Sequence, residues 1–302
     1  MFKNSSGIVR LFLFVGIVLI GSVAGSAASA FLIALKSGFN VEAINEMMAN
    51  IMAYPAYLRE IQFLNQLGVF IFPALLAARL FGENYKEYLY LDTPFNGSTV
   101  LWTVLSMIFI LPFLNLITQL NQQMAFPDFL KGVEEYMKLA EETNAKLIES
   151  MLRAENIRAV VFNILIVGVF AAVGEEFLFR GTLLRIFGDM IRNKHIVIWL
   201  VAFIFSFIHF QFYGFIPRLL LGAYFGYLLY FTKNLWIPVI AHFTHNFTGI
   251  VLFTIYSDDP AQTAAIDALG TEESLWLSVV SLLLFVCAFL KIKRYGGIDA
   301  SL

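Results

Sequence analysis

Charge is scarce in this chain. Of its 302 residues only 14% are Asp, Glu, Lys or Arg while 59% are hydrophobic, too few charges to cover the surface of a soluble domain. A polytopic membrane protein is what remains. The 20 basic and 22 acidic residues nearly cancel and form no basic stripe, which removes nucleic acid from the candidate partners. Cys287 is the only cysteine, so neither an intrachain disulfide nor a multi-Cys metal centre can form. Set in an apolar run, it reads as a small side chain facing lipid or another helix. An HExxH pair, an internal repeat, a low-complexity tract and a long flexible linker are also missing, so residues 1–302 read as a single transmembrane domain.

Long apolar runs are what the chain has instead. Crossing about 30 Å of hydrocarbon at 1.5 Å per residue takes roughly 20 residues. Stretches near that length fall at 11–35, 61–81, 100–120, 159–179, 196–212, 215–232, 235–256 and 274–290. The expected fold class is therefore all-α, a membrane bundle of about eight transmembrane helices. Lys3 and Arg10 ahead of the first run give it the start of a signal peptide, but its apolar stretch continues through Phe31 and Leu35, past the core of about 7–15 residues that a signal uses. It reads as a retained helix. With an even number of spans both termini share one side. Basic residues flank the start (Lys3, Arg10) and the end (Lys291, Lys293, Arg294), whereas 257–273 has no Lys or Arg. Both termini are expected in the cytoplasm, and the chain in the plasma membrane with lipid as a partner.

The connection at 121–158 is the main element outside these runs. Val133, Met137, Leu139, Ala140, Leu147, Ile148, Met151 and Leu152 recur there at roughly helical spacing among Glu and Lys residues, the pattern of an amphipathic helix. Such a helix lies on the bilayer surface or caps the bundle, and either a solvated hairpin or a substrate gate fits it.

Several polar groups interrupt the apolar second half. Each charged side chain at a span centre costs roughly 2.5–3.5 kcal/mol on insertion scales, so a functional site is the default reading of such groups. Glu176 and Arg180 stand four apart, on one helix face, with the acid N-terminal to the base as a stabilising pair prefers. Glu175 projects about 100° away. Of two adjacent carboxyls with one partnered, the other is pushed by desolvation toward the range a general base needs. Phe205 and His209 are again four apart, as are His242 and Asn246. His245 fits best as a polar helix contact and His195, beside Lys194, as a solvated loop residue. A carboxylate base, two imidazoles and a carboxamide are the parts that peptide hydrolysis in a wet cavity requires.

In order and spacing these residues resemble the CPBP intramembrane proteases, the family of CAAX-processing and bacteriocin-processing enzymes long grouped with abortive-infection proteins. Glu175-Glu176 with Arg180 is similar to the family's EExxxR, Phe205 with His209 to its FxxxH, and His242 with Asn246 to its HxxxN. The resemblance covers roughly 159–251. It implies an eight-helix bundle in which Glu175 activates water for attack on a peptide bond of a membrane-associated protein or peptide. By the same carry-over His209 assists, His242 and Asn246 stabilise the oxyanion, and Glu176, Arg180 and Phe205 support them. Glu175, His209 and His242 could hold Zn²⁺ with an open position, or act without a metal. Two other classes compete. A transporter would use buried Glu, His and Arg residues as an ion relay, but the inverted repeats common in transporters are not seen. A non-catalytic immunity or scaffold protein has no chemical need for buried carboxylates beside imidazoles.

Overall fold

The computed structural model describes residues 2–124 and 126–296; Met1, Ala125 and the last six residues of the expected 1–302 domain lie outside them. Among the described residues the chain is helical throughout, with no strand. In chain order the helices are α1 (Gly7–Lys36), α2 (Val41–Ala49), α3 (Pro55–Phe81), α4 (Gly97–Phe109), α5 (Leu111–Gln122), α6 (Lys131–Leu152), α7 (Ile157–Met190), α8 (Lys194–Phe207), α9 (Phe215–Thr232), α10 (Trp236–Tyr256), α11 (Pro260–Asp267) and α12 (Leu275–Tyr295). Side-chain caps start several of them. Asn40, Asn96, Asn156, Asn193 and Asp259 each accept a hydrogen bond from a backbone N–H of the first turn that has no helical partner. At its other end α9 stops at Lys233, which turns into the left-handed region at φ 50°.

Among the described residues six helices are long and apolar enough to cross a bilayer: α1, α3, α7, α9, α10 and α12. The pair α4 and α5, bent by 43°, makes a seventh if it is one broken span rather than a re-entrant loop. Pro112 explains the bend, because it has no N–H to offer the carbonyl four residues back and its ring crowds that turn. The eighth expected span, 196–212, is shorter than its apolar run: α8 has 14 residues and ends at Phe207. Apolar composition extends further than the helix does, so the bundle of about eight apolar helices holds while this one falls short. These helices are those of an integral membrane protein.

By packing, the described chain divides into two compact units, residues 1–89 with 145–190, and residues 90–144 with 191–302. Helix α6 starts in the second and ends in the first. Within the first unit α1 lies directly against α3. A Cβ on Gly68 would sit 2.6 Å from the Gly21 carbonyl oxygen and 2.8 Å from Gly25 Cα, so only glycine permits this approach. Close contact of small residues is how helices associate where lipid removes the hydrophobic driving force. Arg59 is buried in the same unit, its Nε donating to Asn163 Oδ1 at 2.8 Å and its guanidinium to the Arg153 carbonyl at 2.5 Å. Asn163 in turn donates to the Leu152 carbonyl at 2.8 Å.

The second unit packs α4, α5, α9, α10 and α12 around a core that includes Met107, Leu114, Tyr224, Phe225, Ile237 and Ile292. Helix α8 runs along α9. Asn234, wholly buried between α9 and α10, donates from its side chain to the Thr93 carbonyl and accepts from Trp236 N–H at 2.8 Å. That pair of bonds fixes where α10 begins, and therefore how far along it His242 sits.

Candidate functional site

The first motif occupies the middle of α7. Two stretches of this helix are widened to π geometry, Ile164–Phe170 and Phe177–Leu183, and the carboxylates lie on the α-helical turn between them, Ala171–Glu176. A widened turn of this kind recurs at functional sites. Arg180 donates to Glu176 Oε1 at 2.7 Å, and both side chains are fully buried. The spacing of four thus makes the expected ion pair. Glu175 is 9% exposed. Gly174, just before it, brings α7 against the π turn Gln66–Ile71 of α3. A Cβ there would come within 2.9 Å of Phe70 Cβ and 3.3 Å of Gln66 Oε1. Gln66 is almost wholly buried against the motif helix, a polar neighbour that no motif announced. The first unit also has an apolar cavity of about 410 Å³ beside Phe63, Leu165 and Phe170. None of the three motif residues lines it.

The second unit gathers the other two motifs around Phe205. Its ring lies 5.0 Å from the His209 ring and 6.2 Å from the His242 ring, both edge-on. His242 is buried and stacks on Phe225 at 5.2 Å. Asn246, one turn further along α10, is half-buried. His209 Nδ1 lies 2.7 Å from the Phe205 carbonyl oxygen. A carbonyl only accepts, so Nδ1 carries the proton and the lone pair of the neutral ring sits on Nε2.

His209 is not within α8 as the apolar run suggests. The helix ends at Phe207 and His209 sits in the turn that follows, residues 208–214. Phe210 adopts φ +51°, which stops the helix; for a bulky side chain this costs about 1–3 kcal/mol and persists only where the surroundings impose it. They do so at several points. Asn121, buried at the end of α5, donates to the Phe212 carbonyl at 3.0 Å and accepts from Ile216 N–H at 2.8 Å. Ser206 donates to the Phe215 carbonyl at 2.7 Å, and Arg218 to Gln211 Oε1 at 2.5 Å. From α6, Glu141 accepts the Tyr213 N–H at 3.1 Å and Glu134 accepts the Tyr213 hydroxyl at 3.2 Å. Lys138 bonds Glu134 at 2.8 Å and is the main reason the Glu134 carboxyl is held below the usual carboxylate range. Sequence spacing could not reveal Asn121, Glu134 or Glu141, because each belongs to the site only through tertiary contact.

Two histidines lie outside the three motifs. His245 is half-buried in α10. His195 is exposed in the first turn of α8 rather than in a loop, its Nδ1 2.9 Å from the Tyr227 hydroxyl. Among the described residues no three His, Cys, Asp or Glu groups stand together as metal ligands.

The first unit thus buries a carboxylate pair, and the second sets a buried His242 and a half-buried His209 against the ring of Phe205. Residues 157–248 match the family model described as type II CAAX prenyl endopeptidase Rce1-like, a segment that holds all three motifs and less than half of the chain. This agrees with the resemblance to the CPBP proteases. No curated protein and no solved structure matches the chain.

Proposed function

We propose that this protein is an intramembrane endopeptidase acting on a membrane-associated protein or peptide. Glu175 takes a proton from water as the water oxygen bonds to the scissile carbonyl carbon; the C–N bond then breaks and the proton passes to the departing amine. His209 assists through Nε2, the ring nitrogen left as acceptor once the Phe205 carbonyl has fixed the tautomer. His242 and Asn246 donate to the oxyanion. Arg180 holds the second carboxylate, Glu176, in a buried ion pair on the same helix. Both termini lie in the cytoplasm, by the basic residues that flank the first and last spans, and the membrane is the plasma membrane.

The observation that carries this reading is the family match across 157–248, with the three motifs intact and in order inside it. The hydrolase is assayed in liposomes on a farnesylated CAAX peptide and its unprenylated counterpart, with cleavage read by mass spectrometry. Glu175→Gln is expected to slow cleavage by about 10²–10⁴-fold, the worth of a positioned general base, while the variant elutes as a folded monodisperse species. Full cleavage by Glu175→Gln overturns the assignment.

A further inference from the structure

The turn that carries His209 is held by groups that no motif contains. Left alone, Ile208 and Phe210 are apolar residues that would continue α8 into the hydrocarbon, returning Phe210 to right-handed φ and swinging His209 about 100° per residue around the helix. What prevents this is contact from outside: Asn121 pins both Phe212 and Ile216 through its one carboxamide. Glu141 takes the Tyr213 N–H, and the Glu134–Lys138 pair takes its ring and hydroxyl. Backbone groups at membrane depth outside a helix survive only when such partners satisfy them. We propose that Asn121 and Glu141 are positioning residues for His209, and that the first half of α6 is a working part of the second unit's imidazole site rather than a solvated connection. Its catalytic meaning rests on the protease reading above.

The experiment uses the full chain in nanodiscs with ¹⁵N-labelled histidine. Four histidines give a spectrum simple enough to assign His209 by its loss in His209→Gln. Expected in Asn121→Leu and in Glu141→Ala is a shift of His209 alone from the Nδ1–H tautomer to a mixture. A kcat about 10–100-fold lower accompanies it with KM unchanged, the effect of a displacement of about 1 Å. Glu141→Gln, whose amide oxygen still accepts the Tyr213 N–H, restores the His209 signal. Glu142→Ala, on the exposed face of α6, changes neither readout. The proposal is overturned if the His209 signal is unmoved in both variants, if all four histidines move together, or if Glu141→Gln behaves as Glu141→Ala does. Wild-type protein that cleaves neither peptide defeats the protease reading, yet the tautomer readout still decides the positioning role.

Discussion

Replacing Arg180 with Met tests how much the protein depends on the ion pair inside α7. Both side chains are wholly buried and meet at 2.7 Å, so removing the guanidinium strands the Glu176 carboxylate where no water reaches it. At an effective dielectric near 20, two charges about 4 Å apart attract by about 4 kcal/mol, and deleting one partner of a buried pair typically costs about 3–5 kcal/mol. For a chain longer than 250 residues about 2 °C of melting temperature is lost per kcal/mol, which translates to a fall of about 6–10 °C. Heating in detergent followed by fluorescence-detected size exclusion reads this directly. The companion is the double variant Glu176→Gln with Arg180→Met, which removes the stranded charge along with its partner and should recover at least half of the loss. Should Arg180→Met melt within about 2 °C of wild type, or the double variant be no better than the single, then the pair carries little folding energy and the reasoning fails.

Three further outcomes follow from the same structure. Gly68→Val drives a side chain into the Gly21 carbonyl and should abolish the folded monomer peak, whereas survival of that peak means α1 and α3 can separate cheaply. Arg59→Met deletes two charge-assisted hydrogen bonds worth about 1.5–3 kcal/mol each, so denaturant titration should show a loss of about 3 kcal/mol or more, and a loss near zero contradicts the burial argument. If Glu175 activates water without a metal, chelation with EDTA or 1,10-phenanthroline leaves peptide cleavage unchanged; activity lost to chelator and restored by Zn²⁺ refutes the metal-free mechanism and makes Glu175, His209 and His242 the candidate ligands.

The sequence is most readable where one helix carries the whole message. Glu176 and Arg180 sit on consecutive turns of α7, so a spacing of four is enough to foresee their ion pair. The apolar runs likewise foresee α1, α3, α9, α10 and α12, since in lipid the composition of a span and its length are the same signal. Legibility ends where the cause lies in another part of the chain. Nothing between Ile196 and Phe212 is a Gly or Pro, so no local signal marks the end of α8 at Phe207. The stop comes from Asn121, some 90 residues earlier in the chain, and from the acidic face of α6. Gln66 is hidden for a similar reason. Its contact with the motif helix depends on Gly174 and on a π turn in α3, which no hydrophobic period encodes.

Helix length adds one more constraint on how a hydrolytic site can exist in lipid. At 1.5 Å per residue the 14 residues of α8 cover about 21 Å, roughly 9 Å less than the hydrocarbon thickness. The 208–214 turn that follows lacks the internal hydrogen bonds of a helix. The carbonyls and N–H groups it leaves open demand polar partners: Asn121 takes the Phe212 carbonyl and Glu141 the Tyr213 N–H, and both bring polarity to the turn that carries His209. A full-length apolar helix would have satisfied its own backbone and left the imidazole in a dry environment, where neither proton transfer nor water supply is available. Bracing the turn from outside therefore serves two ends at once: it satisfies the backbone, and on the proposed function it keeps polar side chains on the turn that carries His209. On this argument the length of α8 is a functional quantity. Extending the helix through residue 214 by substitutions that favour helix should dry the site even with Glu175, His209, His242 and Asn246 untouched.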